Sequence, residues 1–180
     1  DGRKGSSFNN VGILANDSMY VFVEVTVDPN GGNQPLLIQD SVLFTVNGIR
    51  QSVLLEAYGQ DVNLYKGGVT ITKDSILTAN RPYLIYDSLV IAKGVSLNIE
   101  KGATFYMHDK ASLIVHGSMN ALGTLDEPIT FRGDRLDYIL NDILPYDRTP
   151  GQWGGITFKA DSYGNVWDNV IVRNGTSGVY

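Results

Sequence analysis

Along this chain, short runs of alternating apolar and polar residues are broken by Gly, Asn and Asp. A period of two puts one set of side chains on each face of an extended segment, so the pattern predicts strands rather than helices. In residues 19–27, Val21, Val23, Val25 and Val27 share one face, and Tyr20, Phe22, Glu24 and Thr26 share the other. Asp28-Pro29-Asn30-Gly31-Gly32 then supplies residues that fix or tolerate turn dihedrals and predicts a reversal. In residues 41–46 the inward set is Val42, Phe44 and Val46. After Asn47-Gly48 it is Val53, Leu55 and Ala57. Asn-Gly between two such runs predicts a hairpin, because a type I′ turn needs positive φ at both central residues and matches the strand twist.

From about residue 67 the rhythm changes. Apolar runs at 69–71, 84–85, 89–91, 97–99, 105–107, 113–115 and 129–131 are separated by Gly94, Gly102, Gly117 and Gly123, with little sign of hairpins. Strands this short, in a quasi-repeat of about 20 residues, predict a solenoid whose successive coils stack their strands in parallel. Alternating residues such as Leu97 and Ile99, or Leu113 and Val115, would point inward onto their equivalents above and below. The chain therefore divides into residues 1–66 and 67–180.

Two family resemblances attach to these halves. Ile13-Leu14-Ala15-Asn16-Asp17-Ser18, the run from Val21 to Asp28-Pro29, and a hairpin ending Leu55-Glu56-Ala57-Tyr58-Gly59 resemble the later strands of bacterial immunoglobulin-like domains, over residues 11–61. Such a sandwich has about seven strands in about 100 residues, so the resemblance implies that its first strands lie upstream. In the second half the quoted segments are Pro82-Tyr83-Leu84-Ile85, Leu97-Asn98-Ile99-Glu100-Lys101-Gly102-Ala103, Ala111-Ser112-Leu113-Ile114-Val115-His116-Gly117, Ala121-Leu122-Gly123-Thr124, Pro128-Ile129-Thr130-Phe131 and Trp153-Gly154-Gly155-Ile156. They resemble the opening coils of right-handed parallel β-helix modules of the pectin-lyase-like type in bacterial surface proteins. Asn169-Val170-Ile171-Val172-Arg173-Asn174-Gly175 through Gly178-Val179 is similar to one further coil, in which Asn174 would turn the chain. The expected fold class is all-β: an immunoglobulin-like β-sandwich segment followed by a right-handed parallel β-helix, incomplete at Tyr180, where a coil is still in progress and no capping element is visible. An uncapped coil of that kind is expected either to self-associate through its edge or to be disordered there.

Residues 133–152 interrupt the coil rhythm for longer than a structureless connection usually runs. Ile139, Leu140, Ile143 and Leu144 have i, i+4 spacing and Pro145 would stop a helix, so a short amphipathic helix covering the coils is expected. The alternative is a binding loop, since long loops often carry function. Asp134, Arg135, Asp137, Tyr138, Tyr146, Arg148 and Trp153, with Asp142 and Asp147 among them, combine aromatic faces with hydrogen-bonding neighbours. Such a set can hold a sugar ring by stacking its C–H surface and pairing its hydroxyls. Trp153 also reads as a packing residue, because Gly154-Gly155 permits close approach and Ile156 and Phe158 read as core.

Composition narrows the chemistry. The net charge of −5 and pI of about 4.9 argue against nucleic acid, whose non-specific binding rests on clustered Lys and Arg. The absence of cysteine removes disulfides, thiolate metal sites and thiol nucleophiles. His108 and His116 belong to no metal-ligand spacing, and no metal or cofactor is expected. His116-Gly117 is similar to the Gly-His-Gly of β-helix pectin hydrolases, but Val115 replaces the first glycine and the paired Asp motifs are missing. The acids Asp87, Glu100, Asp109, Asp126 and Glu127 fall at turns, where acids serve the backbone. There is no nucleophile elbow, phosphate loop or dinucleotide fingerprint.

These observations lead to the expectation of a non-catalytic extracellular or cell-envelope protein whose β-helix recognises a glycan or another surface component. Any export signal or lipid anchor, such as that of an outer-surface lipoprotein, would lie upstream of Asp1. Two rivals remain open: a polysaccharide lyase or hydrolase with active residues on the insertion or beyond residue 180, and a structural spacer.

Overall fold

The computed structural model of the chain describes residues 4–25, 36–136, 138–140 and 144–180. Strand β1 (Leu36–Val46) pairs antiparallel with β2 (Ile49–Gly59), with Val46 opposite Ile49. Asn47 at φ 50° and Gly48 at φ 79° both occupy the left-handed region, as a type I′ turn requires. The expected hairpin and its shared face are present: Val42 lies opposite Val53, with Phe44, Val46, Leu55 and Ala57 on the same side.

Residues 63–180 are organised differently. β3 (Asn63–Tyr65), β4 (Val69–Ile71) and β5 (Ser75–Leu77) form a first coil. A second comprises β6 (Tyr83–Ile85), β7 (Ser88–Ile91) and β8 (Ser96–Ile99), and a third β9 (Thr104–Met107), β10 (Ser112–Val115) and β11 (Ser118–Leu122). The fourth starts with β12 (Ile129–Gly133), is interrupted by the short strands β13 (Tyr138–Leu140) and β14 (Leu144–Pro145), and resumes with β15 (Gly155–Phe158) and β16 (Val166–Asp168). β17 (Val170–Val172) opens a fifth. Three parallel sheets result, ordered β17-β12-β9-β6-β3, β15-β10-β7-β4 and β16-β11-β8-β5. The protein is all-β, with parallel sheets stacked in the manner of a β-helix.

The alternation read from the sequence explains why these short strands hold. Tyr83 and Ile85, Leu89 and Ile91, Leu97 and Ile99, Phe105 and Met107, Leu113 and Val115 are buried, while the residue between each pair is more exposed. Register then stacks like on like: Leu89 meets Leu113, which meets Ile156, and Leu97 meets Met119. Burying each large aliphatic side chain stabilises the stack by about 1.5–3 kcal/mol. One interior column is aromatic. Tyr65, Tyr83, Phe105 and Phe131, one from each of four coils, follow one another at centroid distances of 5.7, 4.9 and 4.6 Å, and the partly buried Trp167 of β16 lies 6.2 Å from Phe131.

Acids at the coil corners bind backbone amides of a neighbouring coil. Asp87, at φ 66°, accepts from Gly67 N–H (2.9 Å), Glu100 from Ala79 N–H (2.7 Å), and Asp74 from Ser96 N–H (2.8 Å). Gly117 stands where a Cβ would collide with the carbonyl oxygens of Val95 and Ala92, so the corner needs glycine for close approach.

Two sequence expectations are corrected. Residues 19–25 form no strand, and Phe22 is 93% exposed. Period-two patterning defines two faces, but a strand also needs a backbone partner, and none pairs with this segment among the described residues. Residues 26 and 27 and the expected turn at 28–32 lie outside the described residues. The helix expected over 139–144 is instead the antiparallel pair β13–β14, with Tyr138 opposite Pro145 and Leu140 opposite Leu144. Ile143 lies outside the described residues. The β1–β2 hairpin also leaves Val46 and Val53 65% and 52% exposed, so no second sheet covers that face among the described residues.

Candidate functional site

β12 ends at Gly133, and the chain leaves the coil for the insertion and returns at β15. A single side chain from the fifth coil fixes the return. Asn174, at φ 65° and only 9% exposed, donates its amide to the carbonyls of Tyr146, Asp147 and Thr149 (3.3, 2.7 and 3.1 Å) and accepts from Gly133 N–H (3.3 Å). Gln152 Nε2 donates to the carbonyls of Tyr146 and Thr149 at 2.5 and 2.8 Å. Together they hold the 3-10 turn Tyr146–Arg148 against the sheet edge, its own last carbonyls satisfied by amide donors.

Charge reinforces the clamp. Asp147 accepts from Arg173 Nη1 at 3.0 and 2.9 Å and lies 3.2 Å from Arg132 Nη2. The hydrogen bonds from Arg173 hold its carboxyl below the ordinary range; partial burial opposes this, and the charges of Arg132, Arg173 and Arg148 add to the lowering. Arg132 Nη2 also donates to the carbonyl of Arg135 (3.3 Å), and the Arg135 guanidinium lies 4.0 Å from the Tyr146 ring centroid.

Of the residues expected to hold a sugar, Asp134, Arg135, Tyr146 and Arg148 belong to this corner of the molecule. Trp153 does not face solvent. It is 1% exposed, and its Nε1 donates to the carbonyl of Arg173 at 2.8 Å, so its ring belongs to the core. Tyr138 opens β13, and Asp137 and Asp142 lie outside the described residues.

Cross-coil register adds Tyr106, Arg132, Lys66 and Tyr86, which the sequence reading did not single out, and gives both histidines partners. Tyr106 and Arg132 are partners on β9 and β12, both on the outward side, with Leu84 next to Tyr106 on β6. Beside this stripe runs a corner column with one residue per coil. Lys66 lies 5.6 Å from the Tyr86 ring, Tyr86 lies 4.2 Å from the His108 ring, and His108 Nδ1 lies 2.6 Å from Asp134 Oδ2. The other histidine is likewise tied to the fourth coil, with His116 Nδ1 3.0 Å from Asp161 Oδ1. The signal for Lys66, Tyr86, His108 and His116 was their place one position after an apolar strand residue, seen only once coils are aligned.

Elsewhere, a shallow depression of about 320 Å³ is lined by Phe158, Asn165 and Trp167. Among the described residues no cluster of three or more His, Cys, Asp or Glu could hold a metal ion, and no helix is long and apolar enough to cross a membrane.

Comparisons with known proteins add little to this geometry. No family model matches the chain, and no solved structure matches it. The chain is similar to Protein bark beetle of Drosophila melanogaster, with 31% identity over 104 residues, which is 55% of this chain. It spans only 3% of that protein's length.

Proposed function

We propose that this chain is a non-catalytic recognition module of an extracellular or cell-envelope protein, in which an immunoglobulin-like strand pair leads into a right-handed, pectin-lyase-like β-helix. The β-helix presents its outward face beside the insertion to a glycan or another surface component. The observation that carries this reading is the pairing of half-exposed Tyr106 with Arg132 on adjacent strands, next to a clamped loop bearing Arg135 against Tyr146. An aromatic face with fixed guanidinium donors at its edge suits a ring whose hydroxyls need partners. The hydrogen bonds from Asn174, Gln152 and Arg173 hold the 146–149 turn in place without a ligand, which limits the ordering cost of association there.

The test is binding and cleavage against a panel of neutral and acidic polysaccharides. Binding without product formation supports the reading, and Tyr106→Ala and Arg132→Ala should each weaken it by about tenfold, the loss of about 1.4 kcal/mol. Product formation abolished by a single acidic substitution defeats it in favour of an enzyme. No binding to any member leaves the spacer role as the better account.

A further inference from the structure

Two Asn-Gly steps lie in described parts of the chain, and they are held in opposite ways. Asn47 and Gly48 form the exposed tip of the β1–β2 hairpin, where a Cβ on Gly48 would meet nothing within 4 Å. Asn174 is buried ahead of Gly175, with its amide nitrogen given to three carbonyls and its oxygen taken by Gly133 N–H.

We infer that Asn47 is a site of spontaneous deamidation in the folded protein and that Asn174 is protected from it. The Gly48 backbone nitrogen attacks Cγ of Asn47, the side-chain nitrogen leaves as ammonia, and a succinimide closes. Water then opens the ring at either carbonyl, giving aspartate or isoaspartate. The reaction needs a free amide and a backbone that can rotate into the attacking geometry. Glycine supplies the access, since no side chain shields its nitrogen. The hairpin supplies the motion: two strands without further sheet partners among the described residues are marginally stable and open readily. At Asn174 the leaving nitrogen is held by its acceptors, and rotation would tear the 146–149 turn from the fifth coil.

The consequence for the hairpin is a new negative charge at its tip. In the isoaspartate product there is also an extra backbone carbon inside a two-residue turn that cannot absorb it.

The test incubates the whole chain at about pH 8 and 37 °C, native and in denaturant, and sequences the peptides covering residues 40–60 and 168–180 by mass spectrometry with isoaspartate assignment. Unfolded, both sites convert at similar rates. Native, Asn47 is expected to convert within a few-fold of its unfolded rate, and Asn174 at least about tenfold more slowly than its own. The inference is overturned if Asn47 stays intact while the denatured chain converts, or if folding leaves the rate at Asn174 unchanged.

Discussion

Arg173 grips Asp147 through both carboxylate oxygens, at 3.0 and 2.9 Å, and so joins the fifth coil to the insertion carried by the fourth. Because the folded state lowers the Asp147 pKa below its ordinary value of 3.8, the contact stabilises the fold fully above that value. The stabilisation is lost as pH falls through the lowered folded value. Asp147→Asn should therefore be less stable than the parent at neutral pH, by under about 1 kcal/mol because the pair is partly exposed. The difference should shrink towards zero in strong acid. Denaturant titrations across pH check this; a gap that persists undiminished at the acid end would contradict it.

Asn174→Ala removes the donor shared by three carbonyls and should cost about 1–3 kcal/mol, the penalty of leaving buried acceptors unpaired. Asn174→Asp should cost more, since a carboxylate would then face those same carbonyl oxygens. Chemical denaturation orders the two variants, and an aspartate variant as stable as the parent would refute the assigned geometry.

The aromatic column gives the sharpest contrast between the two halves of the chain. Phe105 stacks between Tyr83 and Phe131 and is 1% exposed, so Phe105→Ala should destabilise the stacked coils by about 3–5 kcal/mol. Phe44→Ala, on the open hairpin face, should change stability by within about 0.5 kcal/mol. Equal losses in equilibrium unfolding would mean that the hairpin face is buried against something.

Gly48→Val forces a β-branched residue toward a φ of 79° and should disfavour the hairpin by on the order of 1 kcal/mol or more. The effect is expected in amide exchange over residues 36–59, with the coils from residue 83 onward unaffected. Unchanged protection of the hairpin would show that the turn does not depend on glycine.

How far the fold could be read from the sequence depended on whether burial was written into alternation. Leu89 and Ile91 or Leu113 and Val115 announce their strands because both inward positions are apolar and the flanking glycines mark the corners. β3, β5, β11 and β16 were not picked out, since Asn63, Ser75, Asn120 and Asp168 dilute the pattern and their pairing is supplied by neighbouring coils: β11 has one on each side, whereas β3, β5 and β16 end their sheets and pair with a single strand. The apolar spacing of residues 139–144 fits one helical turn and a tight pair of strands equally well, and the backbone pairing of β13 with β14 decided it. Candidate site residues were legible only where they were consecutive. Asp134, Arg135 and Tyr146 stood out as an insertion, whereas the partnership of Tyr106 with Arg132 depends on a register between coils that no local window contains.

The lengths of the coils have a consequence for what this architecture can tolerate. Pairing β11 with β16 closes a loop of chain roughly twice as long as pairing β8 with β11, yet a doubling of loop length adds only ~0.6 kcal/mol of closure entropy. Extra residues between β12 and β15 are therefore nearly free in thermodynamic terms, provided Asn174 can still reach the returning chain. A single residue added within a strand such as β8 is another matter, because it turns every inward side chain beyond it toward solvent. Length variation should accumulate in the insertion, leaving the stacked strands fixed in register while the surface they carry diversifies.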